Sequence, residues 1–432
     1  MKLLLHIGAP KAGSTALQRS LAAVRPELEK NGFLYPSLFP KPAEKQKFHS
    51  LDDDHNVIRI ALFALRGKPA NHFFVIHEIR KDTDRQDWAQ RRISALREAV
   101  KSSTAHTCIL SSEHFLGFAN RSGFPEFCDL LRSLFDSITV IFYFRPYHQG
   151  YCSSIQQNLK GGKVISTLRL PQDFGRFPNR RDEEKSPLTA LNQYFDKFGR
   201  EQAKILHFAS DALINGDVVE DFCQRFVYPQ CDPAFRVPTR RDNASISAPA
   251  AIIMSMVKNL SPIRGTETPG KPPLLPLDIA NFVVDQMLRS RPSAETPKLA
   301  EPPEWRVLIA HKNRDRYQWL EEVAGGDLNG ELVDLNLLRS PCPPEVTREA
   351  LSQWLATHLT PAGLDHLLND CLTLNVSPAE LNALFESPFD FQKLEDLLYQ
   401  KLSSPAWRRS FLIDKYQRRI FGRLSKLRRV FD

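Results

Sequence analysis

The residues best suited to chemistry lie near the start of the chain, in the string HIGAPKAGST from His6 to Thr15. Gly8 and Gly13 permit a tight backbone there, and a predicted helix with Leu17 and Leu21 on its inner face follows directly. A glycine-bearing loop between a strand and a helix aims backbone N–H groups at an anion, and the helix N-terminus adds positive potential. The string therefore predicts a phosphate or sulfate site, with a plain tight turn as the alternative.

A second pair of polar residues follows the apolar run from Ile138 to Phe144. Arg145 comes directly after this predicted strand, and Ser153 lies eight residues later on a predicted helix. Parallel α/β sheets bind ligands in the crevice outside the carboxyl ends of their strands, where an arginine can pair with a phosphate and a hydroxyl can donate to it. We expect Arg145 and Ser153 to contact one phosphate, with Ser154 as the alternative hydroxyl.

Glu113 and His114 lie at the carboxyl end of another predicted strand, in the string ILSSEHF. An alcohol is a poor nucleophile until its proton is being removed, so a base must stand near an acceptor hydroxyl. Either side chain can serve as that base. The alternative is that Glu113 caps the next helix or pairs with a structural arginine.

The string PKAGST, from Pro10 to Thr15, resembles a known loop. It is similar to the 5′-phosphosulfate-binding loop of sulfotransferases that use 3′-phosphoadenosine 5′-phosphosulfate (PAPS), which reads Pro-Lys-x-Gly-[Thr/Ser]-[Thr/Ser]. It resembles the Walker A loop less closely, because Ser14 stands where a lysine should follow the second glycine. Arg145 and Ser153 have the interval of the family's 3′-phosphate motif, although Pro146 comes one residue earlier than in its common Arg-Asn-Pro form. The resemblance covers residues 1–255.

The resemblance implies a donor, PAPS, a product, 3′-phosphoadenosine 5′-phosphate (PAP), and no required metal. Lys11 would neutralise the departing bridging oxygen, and Glu113 is favoured over His114 as the base. A basic loop with Arg240 and Arg241 would add a contact to the 3′-phosphate. The residues expected to bind the nucleotide are Pro10, Lys11, Ala12, Gly13, Ser14, Thr15, Arg145, Ser153, Arg240 and Arg241.

The acceptor expected from this resemblance is a hydroxyl of a saccharide or lipid-linked glycan. The chain shows no signal peptide and no apolar run of the roughly 18 residues that a membrane span needs, so we expect a cytoplasmic bacterial enzyme. Two other functions remain open. One is an ATP-using transferase related to P-loop kinases, with Mg²⁺ held by a carboxylate such as Glu113. The other is a catalytically silent nucleotide-binding scaffold.

Short apolar runs alternating with helical stretches predict the elements that position these residues. This alternation is typical of a parallel sheet covered by helices on both faces. Together with the resemblance it predicts an α/β fold with a P-loop NTPase-like sheet, and we place the run Ile138–Phe144 in its middle. The predicted strands are Lys2–Ile7, His72–Ile76, Thr107–Leu110, Ile138–Phe144 and Lys204–Phe208.

The composition changes after this part of the chain. Nine prolines between Pro262 and Pro303 indicate a loop-rich excursion over 256–339, following a nucleotide-binding domain over 1–255. A mostly helical extension is expected over 340–432. Within it Thr360 and Ser377 each precede a proline, as N-cap residues do.

The charge is concentrated at the C-terminus. The chain has 58 Lys and Arg against 50 Asp and Glu, a net +8, and residues 408–432 hold nine cations against two Asp, a net +7. The nearly neutral remainder argues against a nucleic-acid-binding groove. The basic amphipathic tail predicts either contact with an anionic inner-membrane surface or a helix packed on the body. The seven cysteines include no CxxC pair, so we expect neither a disulfide framework nor a zinc site.

Overall fold

The structure is a computed structural model of the whole chain. It describes residues 1–9, 12–38, 55–66, 74, 79, 81–160, 187–209, 211–239, 246–260, 275–290, 297, 299, 303–324, 336–343, 353–386 and 389–412. The predicted site residues Pro10, Lys11, Arg240 and Arg241 lie outside this part, as does most of the basic tail. Among the described helices, none is both long enough and apolar enough to cross a membrane.

The core of the fold is a five-stranded, fully parallel sheet, so the predicted α/β class is confirmed. Its spatial order is β2-β3-β1-β4-β5. In register, His6 lies beside Ser111 on one side and beside Ile141 on the other. The strands are β1 (Lys2–His6), β2 (Phe33–Leu34), β3 (Thr107–Ser111), β4 (Ser137–Phe144) and β5 (Ala203–His207).

The order of the strands corrects one prediction, and a second prediction lies mostly outside the described residues. The middle strand is β1, and β4 lies next to it with neighbours on both sides. The edge strand β2 was not predicted, and of the strand predicted at His72–Ile76 only Phe74 is described, which is helical, while the other four residues lie outside the described part of the chain. Because β2 has two residues, it is too short to show an alternating pattern, and its pairing with β3 alone defines it.

The helices cover the sheet and continue through the C-terminal part of the chain. In chain order they are α1 (Ser14–Ala23), α2 (Arg25–Lys30), α3 (Asn56–Leu65), α4 (Asp82–Ser102), α5 (Glu113–Phe118), α6 (Phe124–Leu134), α7 (Tyr147–Lys160), α8 (Pro187–Phe198), α9 (Val218–Phe226), α10 (Ala248–Asn259), α11 (Leu277–Arg289), α12 (Pro303–Lys312), α13 (Arg314–Ala324), α14 (Pro361–Asp365), α15 (Pro378–Leu384) and α16 (Phe391–Ser403). Short 3₁₀ turns lie at Arg200–Gln202, Ile214–Gly216 and Tyr228–Gln230, and a π-helical turn at His366–Cys371 follows α14.

The described residues form two compact units. The first contains residues within 1–150, 180–243 and 309–342 and holds the sheet, and the second contains residues within 151–179, 244–308 and 343–432. The units interleave along the chain, and the linear boundaries expected after residues 255 and 339 stay a prediction.

Burial explains why the first unit takes this form. Strand β4 is apolar on both faces, and Val140, Ile141, Phe142 and Tyr143 are each at most 1% exposed. A parallel strand with both faces covered needs such a continuous run, since helices pack on either side. The apolar side chains of β1 and α1, among them Leu5 and Leu17, complete the same core.

In the second unit the described secondary structure is helical, and two of its helix starts confirm predictions from the sequence. The Thr360 side chain accepts from the Gly363 N–H, and Pro361 opens α14. Ser377 and Glu380 form a complete capping box at the start of α15. These caps satisfy N–H groups that lack an intrahelical acceptor, so they define where each helix begins.

Candidate functional site

The candidate site lies at the carboxyl edge of the sheet, where the chain changes direction. From β1 the chain goes to β2 on one side of the sheet, and from β4 it continues to β5 on the other. Ligands of open α/β sheets bind at such a switch point, outside the carboxyl ends of the two diverging strands. Here the two ends are followed by the loop of residues 7–13 and by Arg145.

The loop enters α1 through Gly13, which is the N-cap residue and has φ 72°. This left-handed conformation suits glycine, and the missing side chain leaves the helix start without a side-chain cap. The first intrahelical bond runs from the Leu17 N–H to the Gly13 carbonyl at 3.1 Å. Helix geometry therefore leaves the N–H groups of residues 13–16 without an intrahelical acceptor. The Ala12 N–H, by contrast, has a partner within the loop, since it donates to the Ala9 carbonyl at 3.2 Å.

Gly8 lies close to Ser14 and to the backbone of Glu113. Its φ is 32°, and a Cβ placed on it would lie 2.5 Å from Ser14 Oγ and 3.1 Å from the Glu113 Cα. Ser14 is 3% exposed, and its hydroxyl has no hydrogen-bond partner among the described residues. A buried hydroxyl without a partner is costly, so it marks a position where a polar group is needed. Thr15, beside it, is partly exposed.

Phe208 joins the loop to Arg145. A Cβ on Gly13 would lie 2.6 Å from Val218 Cγ1 and 3.1 Å from Phe208 Cε2, so the loop packs closely on the end of β5 and the start of α9. The Arg145 guanidinium lies over the same Phe208 ring, 5.4 Å from its centre. The predicted arginine and the glycine loop are therefore separated by one aromatic ring, and the cation–π contact helps to hold the guanidinium there.

The segment after Arg145 is supported by a helix from much later in the chain. The Tyr147 N–H, at the start of α7, donates to the Tyr317 hydroxyl at 3.1 Å. Tyr317 lies on α13, is fully buried, and also packs edge-on against Phe144 at 5.8 Å. Residues beyond 309 thus contribute to the packing of the sheet's carboxyl edge.

Glu113 and His114 begin α5 directly after β3. Ser112 caps this helix by accepting from the His114 N–H at 3.1 Å, and the Leu116 N–H donates to the Ile7 carbonyl at 3.2 Å. These bonds tie the start of α5 to the end of β1. The cap is Ser112, so capping does not explain Glu113, which is partly exposed beside the loop.

His114 is exposed to solvent, although neighbouring atoms desolvate its ring in part. Desolvation of the ring, with a smaller contribution from the positive charge of Arg59, lowers the pKa of His114 to about 4. A lowered pKa keeps the imidazole neutral at pH 7 and makes it a weaker base than an ordinary histidine.

A buried polar network lies beneath the loop. His6 Nδ1 is 2.8 Å from Ser111 Oγ, and the Gln18 amide donates to the Ser111 carbonyl at 3.3 Å. The Ser111 N–H donates to His55 Nδ1 at 2.9 Å, and His55 Nε2 lies 3.0 Å from the Pro36 carbonyl. Burial lowers the pKa of His6 to about 4. The network therefore links the ends of β1, β2 and β3 through neutral groups.

The structure thus brings together Gly8, Gly13, Ser14, the backbone of Glu113 and Arg145. Ser153 lies on α7, is partly exposed and belongs to the second unit, so its pairing with Arg145 stays a prediction. Of the described residues, no group of three or more His, Cys, Asp or Glu side chains is placed to hold a metal ion.

Sequence reasoning missed several residues around the site. Phe208 was placed at the end of a predicted strand, but nothing in the sequence pairs it with Arg145. Arg59 gives no local signal of its position beside His114. His6 did carry a signal, since a polar residue at the end of an otherwise apolar buried strand indicates a specific partner.

Comparisons with models of known protein families, with curated proteins and with solved structures found no match for this chain.

Proposed function

We propose that this protein is a sulfotransferase with a P-loop NTPase-like fold, which transfers the sulfuryl group of PAPS to an acceptor hydroxyl. The observation that carries the proposal is the convergence at the switch point of the sheet. There the glycine loop and the start of α1 lie one aromatic ring from Arg145. Two separated anion-binding elements suit a nucleotide that carries phosphate at two positions.

The described residues suit an anion at the loop. Ser14 Oγ is buried without a partner, and Gly13 leaves the N–H groups of the first turn of α1 uncapped. Donors of this kind, at the positive end of a helix, favour a phosphate or sulfate oxygen. Gly8 and Gly13 let the loop pack closely on the residues around it, because a Cβ at either position would collide with neighbouring atoms.

In this proposal each residue has a separate task. The N–H groups of residues 13–15 and the hydroxyls of Ser14 and Thr15 bind the 5′-phosphosulfate, and Lys11 neutralises charge at the bridging oxygen. Arg145, with Ser153, binds the 3′-phosphate as a charge-assisted pair. When bound, the donor supplies an activated sulfuryl group, and the protein contributes positioning and charge stabilisation.

Glu113 is the proposed base for the acceptor hydroxyl. It stands beside the loop, and its backbone contacts the position of Gly8. The lowered pKa of His114 makes that neighbour the weaker candidate. Glu113→Gln should therefore abolish transfer while leaving nucleotide affinity unchanged, whereas His114→Gln should reduce transfer less.

Calorimetric titration with PAP, beside ADP with Mg²⁺, tests the nucleotide site. We expect micromolar PAP binding, about −8 kcal/mol, which Arg145→Ala weakens by about 2 kcal/mol or more. Arg97→Ala is the matched control, because it removes one positive charge from the exposed face of α4. ADP binding as tight as PAP binding would instead support the kinase-like transferase. Tight PAP binding without transfer to any hydroxyl acceptor would support the silent scaffold.

The acceptor class and the cellular location are further parts of the proposal. We propose saccharide or lipid-linked glycan hydroxyls as acceptors, met in the cytoplasm at the inner membrane surface. Removing residues 408–432 should then reduce partitioning onto vesicles of anionic lipid. Unchanged partitioning would refute the membrane contact and leave the nucleotide site unaffected.

A further inference from the structure

The second unit contains a cluster of cysteine, histidine and aspartate on one helical turn, at His366–Cys371. Cys371 Sγ lies 3.7 Å from His366 Nε2, and His366 Nδ1 lies 2.8 Å from Asp370 Oδ2. A nucleophile, a base within reach of it and a carboxylate on the other ring nitrogen are the three parts of an activated nucleophile. The candidate site described above uses none of these residues.

The π-helical turn is the physical reason why these side chains meet. Here the Leu372 N–H donates to the Leu367 carbonyl at 3.2 Å, five residues back. In an α-helix, residue i+5 points well away from residue i, because a turn takes 3.6 residues. The wider π-turn brings positions i+4 and i+5 to either side of residue i, which places Asp370 and Cys371 beside His366.

A cleft of about 350 Å³ adjoins Cys371. Its aromatic wall is fixed, since Trp407 stacks on Phe411 with ring centres 5.6 Å apart and Phe282 packs edge-on against both. The Trp407 indole N–H donates to the Leu372 carbonyl at 2.7 Å, which ties this wall to the residue after the cysteine. Cys371 itself is partly exposed, so a ligand in the cleft can reach the sulfur.

We propose that Cys371 is a nucleophile that accepts an acyl group from a thioester, with His366 as its base and Asp370 as the positioning residue for His366. In this step the sulfur of Cys371 attacks the carbonyl carbon and its proton passes to His366 Nε2. The new S–C bond forms as the bond to the original thiol breaks, and that thiol leaves with the proton from His366. The acyl chain lies against the aromatic wall of the cleft.

The environment of the thiol makes the base necessary. Burial, and to a lesser extent the charge of Asp370, raise the pKa of Cys371, so the thiol is protonated at neutral pH. The His366 imidazole lies within reach of the sulfur and removes the proton as the sulfur attacks. The inference is independent of the sulfotransferase proposal, since the two use different residues.

The test is the acylation rate of individual cysteines by hexanoyl-N-acetylcysteamine, measured by peptide mass spectrometry on the full chain. Cys342 is the internal control, because it is the more exposed thiol. Exposure alone would make Cys342 react faster, whereas the proposal expects Cys371 to be acylated at least about tenfold faster. Equal rates, or a faster Cys342, would overturn the proposal.

Variants separate the roles. His366→Gln should reduce the rate at Cys371 at least about tenfold and leave Cys342 unchanged. Asp370→Asn should reduce it several-fold, and Asp370→Glu should restore part of the loss, which a merely structural role would not do. Cys371→Ser should remove the adduct from that peptide. A rate at Cys371 that is insensitive to His366→Gln would refute the assignment of the base.

The length of the acyl chain tests the cleft. The hexanoyl thioester should react several-fold faster than the acetyl thioester at Cys371, and the two should react alike at Cys342. Because His366 and Asp370 are exposed, their variants should retain the circular dichroism spectrum of the parent protein. Equal rates for both chain lengths at Cys371 would exclude the aromatic wall as the acyl site.

Discussion

Replacing Gly13 by alanine should destabilise the first unit strongly, because two separate costs meet at this residue. Its φ of 72° is left-handed, which costs an L-residue roughly 1–2 kcal/mol. The new methyl group would also lie 2.6 Å from Val218 Cγ1 and 3.1 Å from Phe208 Cε2. Overpacking of this kind costs about 1–3 kcal/mol, so we expect a total loss of about 2–5 kcal/mol.

Val218 cannot move away easily. It is the first residue of α9, and the Asp217 side chain caps that helix by accepting from the Val219 and Glu220 N–H groups at 2.8 and 3.2 Å. The steric part of the loss should therefore depend on the Val218 side chain. In a Val218→Ala background, Gly13→Ala should cost less than in the parent protein, because the 2.6 Å contact is gone and only the φ cost of about 1–2 kcal/mol and the milder 3.1 Å contact with Phe208 Cε2 remain.

The assay is chemical unfolding of the two single variants and the double variant, with hydrogen exchange in β1 and β4 to assign the loss to the first unit. Gly117→Ala is the matched control, since Gly117 is helical and a Cβ there meets no atom within 4 Å. That control should be about 0.5–1 kcal/mol more stable than the parent. If the effects of Gly13→Ala and Val218→Ala simply add, the packing argument is wrong.

Three further predictions concern stability. Burial lowers the pKa of His6 to about 4, so below about pH 6.5 the unfolded chain binds a proton on His6 that the folded protein does not bind. The free energy of unfolding should therefore fall by about 3 kcal/mol between pH 6.5 and 4. In urea titrations at several pH values, His6→Gln should remove this part of the pH dependence. Asp221 is 1% exposed and accepts a hydrogen bond from the Tyr143 hydroxyl at 2.7 Å. In denaturant unfolding, Asp221→Asn should lower the free energy of unfolding by about 3 kcal/mol and Tyr143→Phe by about 1–2 kcal/mol. Equal losses would contradict a central role for the carboxylate. Ser377→Ala removes one half of the capping box with Glu380 and should cost about 1 kcal/mol, seen as faster amide exchange in α15; unchanged exchange would show that the cap adds nothing.

The sequence by itself determined the fold class and most of the sheet. The runs that became β1, β3, β4 and β5 are short, apolar and followed by turn residues, and their observed bounds differ from the expected ones by at most one residue at each end. The starts of α14 and α15 could also be predicted from the sequence, because capping depends on residues within one turn of each other. Local chemistry was sufficient wherever the interacting residues are neighbours in the chain.

The sequence also located Gly13, Ser14 and Arg145, but only the tertiary structure decided how they are arranged. Phe208, which contacts both the loop and Arg145, lies far from either in the chain. The edge strand β2 exists because β3 offers it a partner, since two residues carry no period of their own.

The arrangement of the cluster at Cys371 could not be predicted from the sequence either, although its residues are close in the chain. His366, Asp370 and Cys371 are close in sequence, yet α-helical spacing would point the cysteine away from the histidine. The hydrogen bond from the Trp407 indole to the Leu372 carbonyl and the π-turn before Leu372 give these residues their arrangement. The sequence thus determines which groups are present and which local elements they form, whereas their meeting in space depends on contacts between segments that no local pattern encodes.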